Sequence, residues 1–311
     1  MSGRGLIGLP LAALAVCALA VAFSAASFTD STQNPQTLSA AADFLPPGAS
    51  ASVIGKSEGG TAGYVRANGN YRVYANVADP GNPSSKTSSV KADVSALTSG
   101  QTAAALTAGS YSFDGVTYNY RSAQLKVGSG VSAGTKSYAL TLLDGAGNAG
   151  VEDFPVAVNG PFAGSSFATA NAPGNNSGEP EEGDTISFTY SAEPAPESIK
   201  SSWDGDATSV KVSIADSSGN ETLSVSGVAL GSVSLKGDYV ASGKTVSFSG
   251  SSMTLSGSAV TIVLGDPGSS SNVDDDNGSR APLWTPSSAA DDRAGNACST
   301  ATVTGASTRQ F

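Results

Sequence analysis

Histidine is absent from this 311-residue chain. Its absence removes the commonest general base and the commonest transition-metal ligand, and with them every Ser-His-Asp and Cys-His arrangement. Cysteine is nearly absent too: Cys17 and Cys298 are the two present, and Cys17 lies in an apolar N-terminal run that reads as a leader. Cleavage leaves Cys298 alone, either buried as a small hydrophobe or paired between chains; its place where a last strand is expected favours burial. Positive charge is scarce, with 16 Lys and Arg against 26 Asp and Glu and a net charge of −10. Each phosphate contact needs a Lys or Arg, so this balance argues against nucleic acid and anionic membrane as partners. Helix formers such as Glu, Lys and Leu are sparse, and no Gly-rich phosphate loop, nucleophile elbow or Cys/His metal spacing occurs. No catalytic residue is nominated, and the chain reads as a non-enzyme.

What is present is period-two alternation and one recurring turn. Asp144-Gly-Ala-Gly-Asn-Ala149 returns as Asp292-Arg-Ala-Gly-Asn-Ala297. Asp and Asn bond their own backbone and Gly supplies a positive φ, so each copy is expected to connect two strands, with Gly147 and Gly295 in the left-handed region. Tyr138, Leu140 and Leu142 share one strand face before the first copy, and Phe154, Val156 and Val158 share another after it. Further alternation runs through residues 71–77, 90–94, 116–120 and 123–127, then through 186–190, 210–214, 223–225, 246–248 and 260–264. Glu197 to Trp203 is expected to form a short helical turn. Trp203 and Trp284 read as core or corner residues rather than sugar platforms.

Leu6 to Ala26 carries no charge, follows Arg4, and ends in the small-x-small site Ser24-Ala25-Ala26, the layout of a cleavable signal peptide. Loss of Arg4 would take the net charge from −10 to −11. The alternative is an uncleaved anchor, which would be the chain's one tie to a membrane. The expected organisation is signal peptide 1–26, flexible spacer 27–60, β-sandwich 61–160, linker 161–178 and a second β-sandwich 179–311.

The two turns resemble the one before the last strand of bacterial immunoglobulin-like domains. Asp184-Thr-Ile-Ser-Phe-Thr-Tyr190, Pro196-Glu-Ser-Ile199 and Trp284-Thr-Pro286 leading into Asp292 are similar to immunoglobulin-like domains of S-layer and related surface proteins. Tyr71-Arg-Val-Tyr-Ala-Asn-Val-Ala-Asp79 and Thr117-Tyr-Asn-Tyr-Arg-Ser122 make the first half a looser relative. Ala26-Ser-Phe-Thr-Asp30 resembles the leader boundary of biofilm-fibre and camelysin-type exported proteins. These resemblances imply an all-β fold of two tandem immunoglobulin-like β-sandwiches, secreted or surface-displayed, with a structural or adhesive role. The alternative they leave open is a binding module for carbohydrate or a protein receptor, with calcium assisting. Expected partners are other extracellular or surface proteins, or glycan.

Two acidic clusters are the calcium candidates: Glu179, Glu181, Glu182 and Asp184 at the expected junction, and Asp274, Asp275 and Asp276 in a Gly/Ser-rich loop. Calcium needs six to eight converging oxygens. Neither cluster has the alternating Asp spacing of a known loop, so the sequence reads both as solvated and assigns no cofactor.

Overall fold

The computed structural model describes residues 43–57, 60–81, 85–217 and 220–311. The leader with Cys17, its cleavage site and the Phe28-Thr-Asp30 boundary lie outside the described residues. The protein is all-β and builds two nine-stranded sheets.

The first sheet draws on β1 (Gly48–Lys56), β2 (Tyr64–Arg66), β3 (Asn70–Ala78), β4 (Thr87–Asp93) and β5 (Ala104–Phe113). It continues with β6 (Val116–Ser122), β7 (Leu125–Lys126), β8 (Gly134–Asp144) and β9 (Ala149–Asn159). Its path is β1-β3-β6-β5-β4-β8-β9-β2, with β7 also on β3. The pairings are antiparallel except for the parallel pair of β2 and β9. The two ends of this path meet at Gly63: its N–H donates to Ile54 O at 2.7 Å, and its carbonyl accepts from Ala157 N at 2.8 Å. The sheet therefore curls on itself around Ile54, Tyr71, Val73, Leu97, Tyr138, Leu140 and Leu142, all buried. Apart from Leu97, which sits in the turn after β4, these residues alternate along their strands with outward-facing ones, as one buried sheet face requires.

The second sheet uses β10 (Gly164–Ala170), β11 (Thr185–Tyr190), β12 (Thr208–Ala215), β13 (Thr222–Ser226) and β14 (Ser232–Ser234). The remaining strands are β15 (Thr245–Ser256), β16 (Ala259–Val263), β17 (Leu283–Thr285) and β18 (Val303–Thr304). Their order is β10-β11-β16-β15-β12-β13-β14-β17-β18. A parallel bridge between Ala163 and Ser299, with Ser299 N donating to Phe162 O at 2.9 Å, brings its ends together as well. Trp284 is fully buried at the centre, edge-on to Phe188 and Tyr190, and donates its indole N–H to Leu230 O at 2.7 Å. Trp203 is buried too and donates to Asp206 O at 2.6 Å. Both tryptophans thus place a large apolar body inside and satisfy their one donor. Cys298 is a buried free thiol, and burial pushes its pKa up to about 11.

Three expectations need correction. The stretch 27–60 read as a spacer contains β1, and the stretch 161–178 read as a linker contains β10. β1 buries Ile54 and β10 buries Phe167, but their other positions are mostly Gly, Ala, Ser and Thr, so neither shows the repeated large side chains that mark a strand. Gly55 in particular lies under the Phe113 ring, where a Cβ would collide. The turn at Asp144 joins β8 to β9 in a hairpin, but the turn at Asp292 has an isolated Asp291–Ala297 bridge at its base in place of a strand ladder. The short helix falls at Pro196–Ile199, opened by a proline that needs no N–H partner.

Gly147 and Gly295 sit at φ of 95° and 74°. Substituting either by Val is expected to lower stability by about 1 to 3 kcal/mol, because a β-branched residue is strained in that region. Thermal unfolding checks this, and an unchanged melting temperature in both variants would contradict it.

Candidate functional site

The two turns share the same three Asp–Asn bonds. In the first, Asp144 N donates to Asn148 O at 3.1 Å, and Asn148 returns its N to Asp144 Oδ1 at 2.8 Å and its Nδ2 to Oδ2 at 2.7 Å. In the second, Asp292 N donates to Asn296 O at 3.0 Å, and Asn296 donates N to Oδ1 and Nδ2 to Oδ2, both at 2.8 Å. Asp144 and Asp292 are 2% and 1% exposed, so these donors are what make a buried carboxylate tolerable.

Each Asn side chain also clamps the segment that leads into its own sheet. Asn148 Nδ2 donates to Asp43 O at 2.9 Å, just before β1. Asn296 Nδ2 donates to Gly160 O at 3.1 Å, between β9 and β10. The second clamp therefore ties the two sheets together, and Arg66 Nη1 adds a bond to Gly295 O at 3.0 Å. A cleft of about 270 Å³ opens beside this contact, lined among others by Lys56, Ser57, Arg66, Asn70, Gln124 and Ala294. Two cations and two amides give it a donor-rich wall, and Ser57 Oγ is buried there without a partner.

The turns differ in what else meets the Asp. Asp292 Oδ2 accepts a third-residue donor, Asn159 Nδ2, at 3.0 Å. Asp144 instead faces two more acids: single oxygens of Asp43, Asp79 and Asp144 all lie within 4.8 Å of one another. The Leu45 N–H and then the Ser85 hydroxyl hold the Asp43 carboxyl below the usual carboxylate range, with Asp144 opposing. Burial pushes the Asp144 carboxyl up, but the side-chain and backbone donors of Asn148, joined by Ser85 and the Gly147 N–H, outweigh it and leave it lowered. Asp79 Oδ2 is buried and has no hydrogen-bond partner. Three carboxylates with this geometry are the residues that could hold a hard divalent cation.

The clusters singled out from sequence are arranged otherwise. Asp184, fully buried, accepts from Ala172 N at 2.8 Å, Asn175 Nδ2 at 2.9 Å and Glu181 N at 2.9 Å. Glu179 and Glu181 accept from the side chain and backbone of Asn176, and Glu182 offers its backbone carbonyl to Asn175. That acidic run orders its own loop. Asp276 is held in a fork by Arg280, at 2.7 and 2.9 Å, and Asp275 pairs with Arg309 at 3.2 Å, while exposed Asp274 donates its backbone N–H to Tyr239 O. Asp43, Asp79 and Asp144 went unnamed from sequence because they come from three distant segments with no shared spacing; the one signal was that Asp144 belongs to the repeated turn.

Calcium bound by Asp43, Asp79 and Asp144 is expected to raise the melting temperature by mass action, and Asp79→Asn to remove that response. No shift at millimolar calcium would contradict a cation site there. No family model matches the chain and no curated protein matches it.

Proposed function

We propose that the chain is a secreted or surface-displayed structural or adhesive protein made of two tandem immunoglobulin-like β-sandwiches behind a cleaved leader. The observation that carries this reading is the duplicated Asp–Asn turn, each copy fastening the segment that enters its own sheet. The hydrophobic clusters of the two sheets are separate, with one in the second sheet and a main and a smaller one in the first, and this supports the tandem arrangement. A clamp that both folds a unit and joins it to the one before suits a protein whose work is to hold surfaces at a distance. The absence of histidine and the use of the acidic clusters in loop and ion-pair bonds favour no catalysis. Among the described residues no helix is long and apolar enough to cross a membrane, so on this reading any membrane tie runs through the leader.

A second reading, an extracellular module that binds carbohydrate or a protein receptor, is favoured by the donor-rich cleft at Lys56 and Arg66. Hydroxyl-rich or carboxylate-bearing groups are the chemistry those donors would recognise.

Cells with and without the chain test the proposal. The protein is expected outside the cytoplasm with an N-terminus near Ser27, and its loss is expected to weaken attachment or surface cohesion. A cytosolic chain that keeps Met1, or attachment unchanged by its loss, would overturn it. Capture of a defined glycan that Arg66→Ala abolishes would move the function to the second reading.

A further inference from the structure

Glu221 lies in the ladder just ahead of β13, where its carbonyl accepts from Leu235 N at 2.8 Å and its N–H points to Gly237 O at 3.4 Å. The residue is fully buried, and neither of its side-chain oxygens has a hydrogen-bond partner. Tyr239, also fully buried, has a hydroxyl in the same condition. An ionised carboxylate left this way would carry a large uncompensated desolvation cost.

The charges around it make matters worse rather than better. Asp238, on the loop after β14, and Asp216, at the end of β12, both act on Glu221 as like charges. The cations nearby are committed or outside: Arg280 is held by Asp276, Arg309 by Asp275 and Asn277, and Lys236 and Lys244 are exposed. Two ionised carboxylates have no proton to give each other. One proton on Glu221 supplies the missing donor to Asp238 and removes the buried charge at once.

We propose that Glu221 is a buried carboxylic acid that keeps its proton in the folded protein, shares it with Asp238, and latches the start of β13 to the 235–240 segment until that proton is lost. Burial foremost, offset in part by its own backbone N–H, and then Asp238 and Asp216 push the Glu221 carboxyl up to about 7. The folded state therefore holds more protons than the unfolded state from the ordinary value of 4.5 up to about 7. Stability is present in full at the acid end of that window and declines as pH rises through the folded value.

The window is unusually clear of other groups. The chain has no histidine. Cys298 is pushed up to about 11, and Asp43, Asp93, Asp144 and Asp276 are all lowered below the carboxylate range. Apart from the α-amino group, no ordinary side chain of this composition titrates between pH 5 and 8.

The test is thermal unfolding of the full chain from pH 5 to pH 8, beside a carboxyl-carbon NMR titration with labelled Glu. The melting temperature is expected to fall by several degrees towards pH 8, with one Glu resonance titrating near neutrality. Glu221→Gln, which keeps a donor for Asp238 and cannot titrate, is expected to flatten the profile and exceed the wild type at pH 8. A fall that the variant shares, a flat wild-type profile, or every Glu resonance titrating at its ordinary value would overturn the proposal. The resonance decides the matter in the wild-type protein even if the variant fails to fold.

Discussion

A buried aspartate closed by the asparagine four residues after it is the interaction on which the rest of this structure depends. Asp144 and Asp292 are each removed from water, and a carboxylate there survives only with donors aimed at both oxygens. The Asn supplies two of them, and its side-chain N–H₂ reaches on to one further carbonyl. Local turn chemistry and long-range assembly are thus one network. In the first half the network fixes where the chain enters β1; in the second it fixes β10 and, through Gly160 and Asn159, the end of β9.

The contrast between the halves explains where the charged side chains matter. Asn159 completes the shell of Asp292 with a neutral donor, whereas Asp43 and Asp79 surround Asp144 with like charge. Elsewhere the acids are spent on structure: Asp184 gathers its loop, and Asp276 fastens Arg280. Among the described residues, Asp79 and Glu221 are the acids with buried side-chain oxygens that have no hydrogen-bond partner. A cation relieves the first arrangement and a proton the second, and both remedies depend on what the surrounding solution contains.

Much of the architecture was legible in the sequence because large side chains alternate along β3, β8, β11 and β16, and because glycine marks both turns. Tryptophan burial was legible because a large aromatic ring is ordinarily taken into a sandwich core. β5 was not: in Ala104–Phe113 only Ala104, Leu106 and Phe113 are buried, and a middle of Thr, Ala, Gly and Ser gives no alternation. β1 and β10 escaped notice because each buries a single large side chain, Ile54 and Phe167, among mostly small residues. The parallel contacts that curl the sheets, β2 on β9 in the first and Ala163 on Ser299 in the second, depend on which distant segments meet, as do the Asp43–Asp79–Asp144 trio and the isolation of Glu221. Local pattern carries no such information.

Calorimetry of Asn148→Ala beside Asn296→Ala tests the central claim most directly. Both variants lose a clamp of the same geometry, so both are expected to lose stability, by about 1 to 3 kcal/mol. Only Asn296→Ala also loosens the tie between the sheets, and it is expected to split one unfolding transition into two while Asn148→Ala keeps one. A single unaltered transition in Asn296→Ala, or the same splitting in both, would contradict the account.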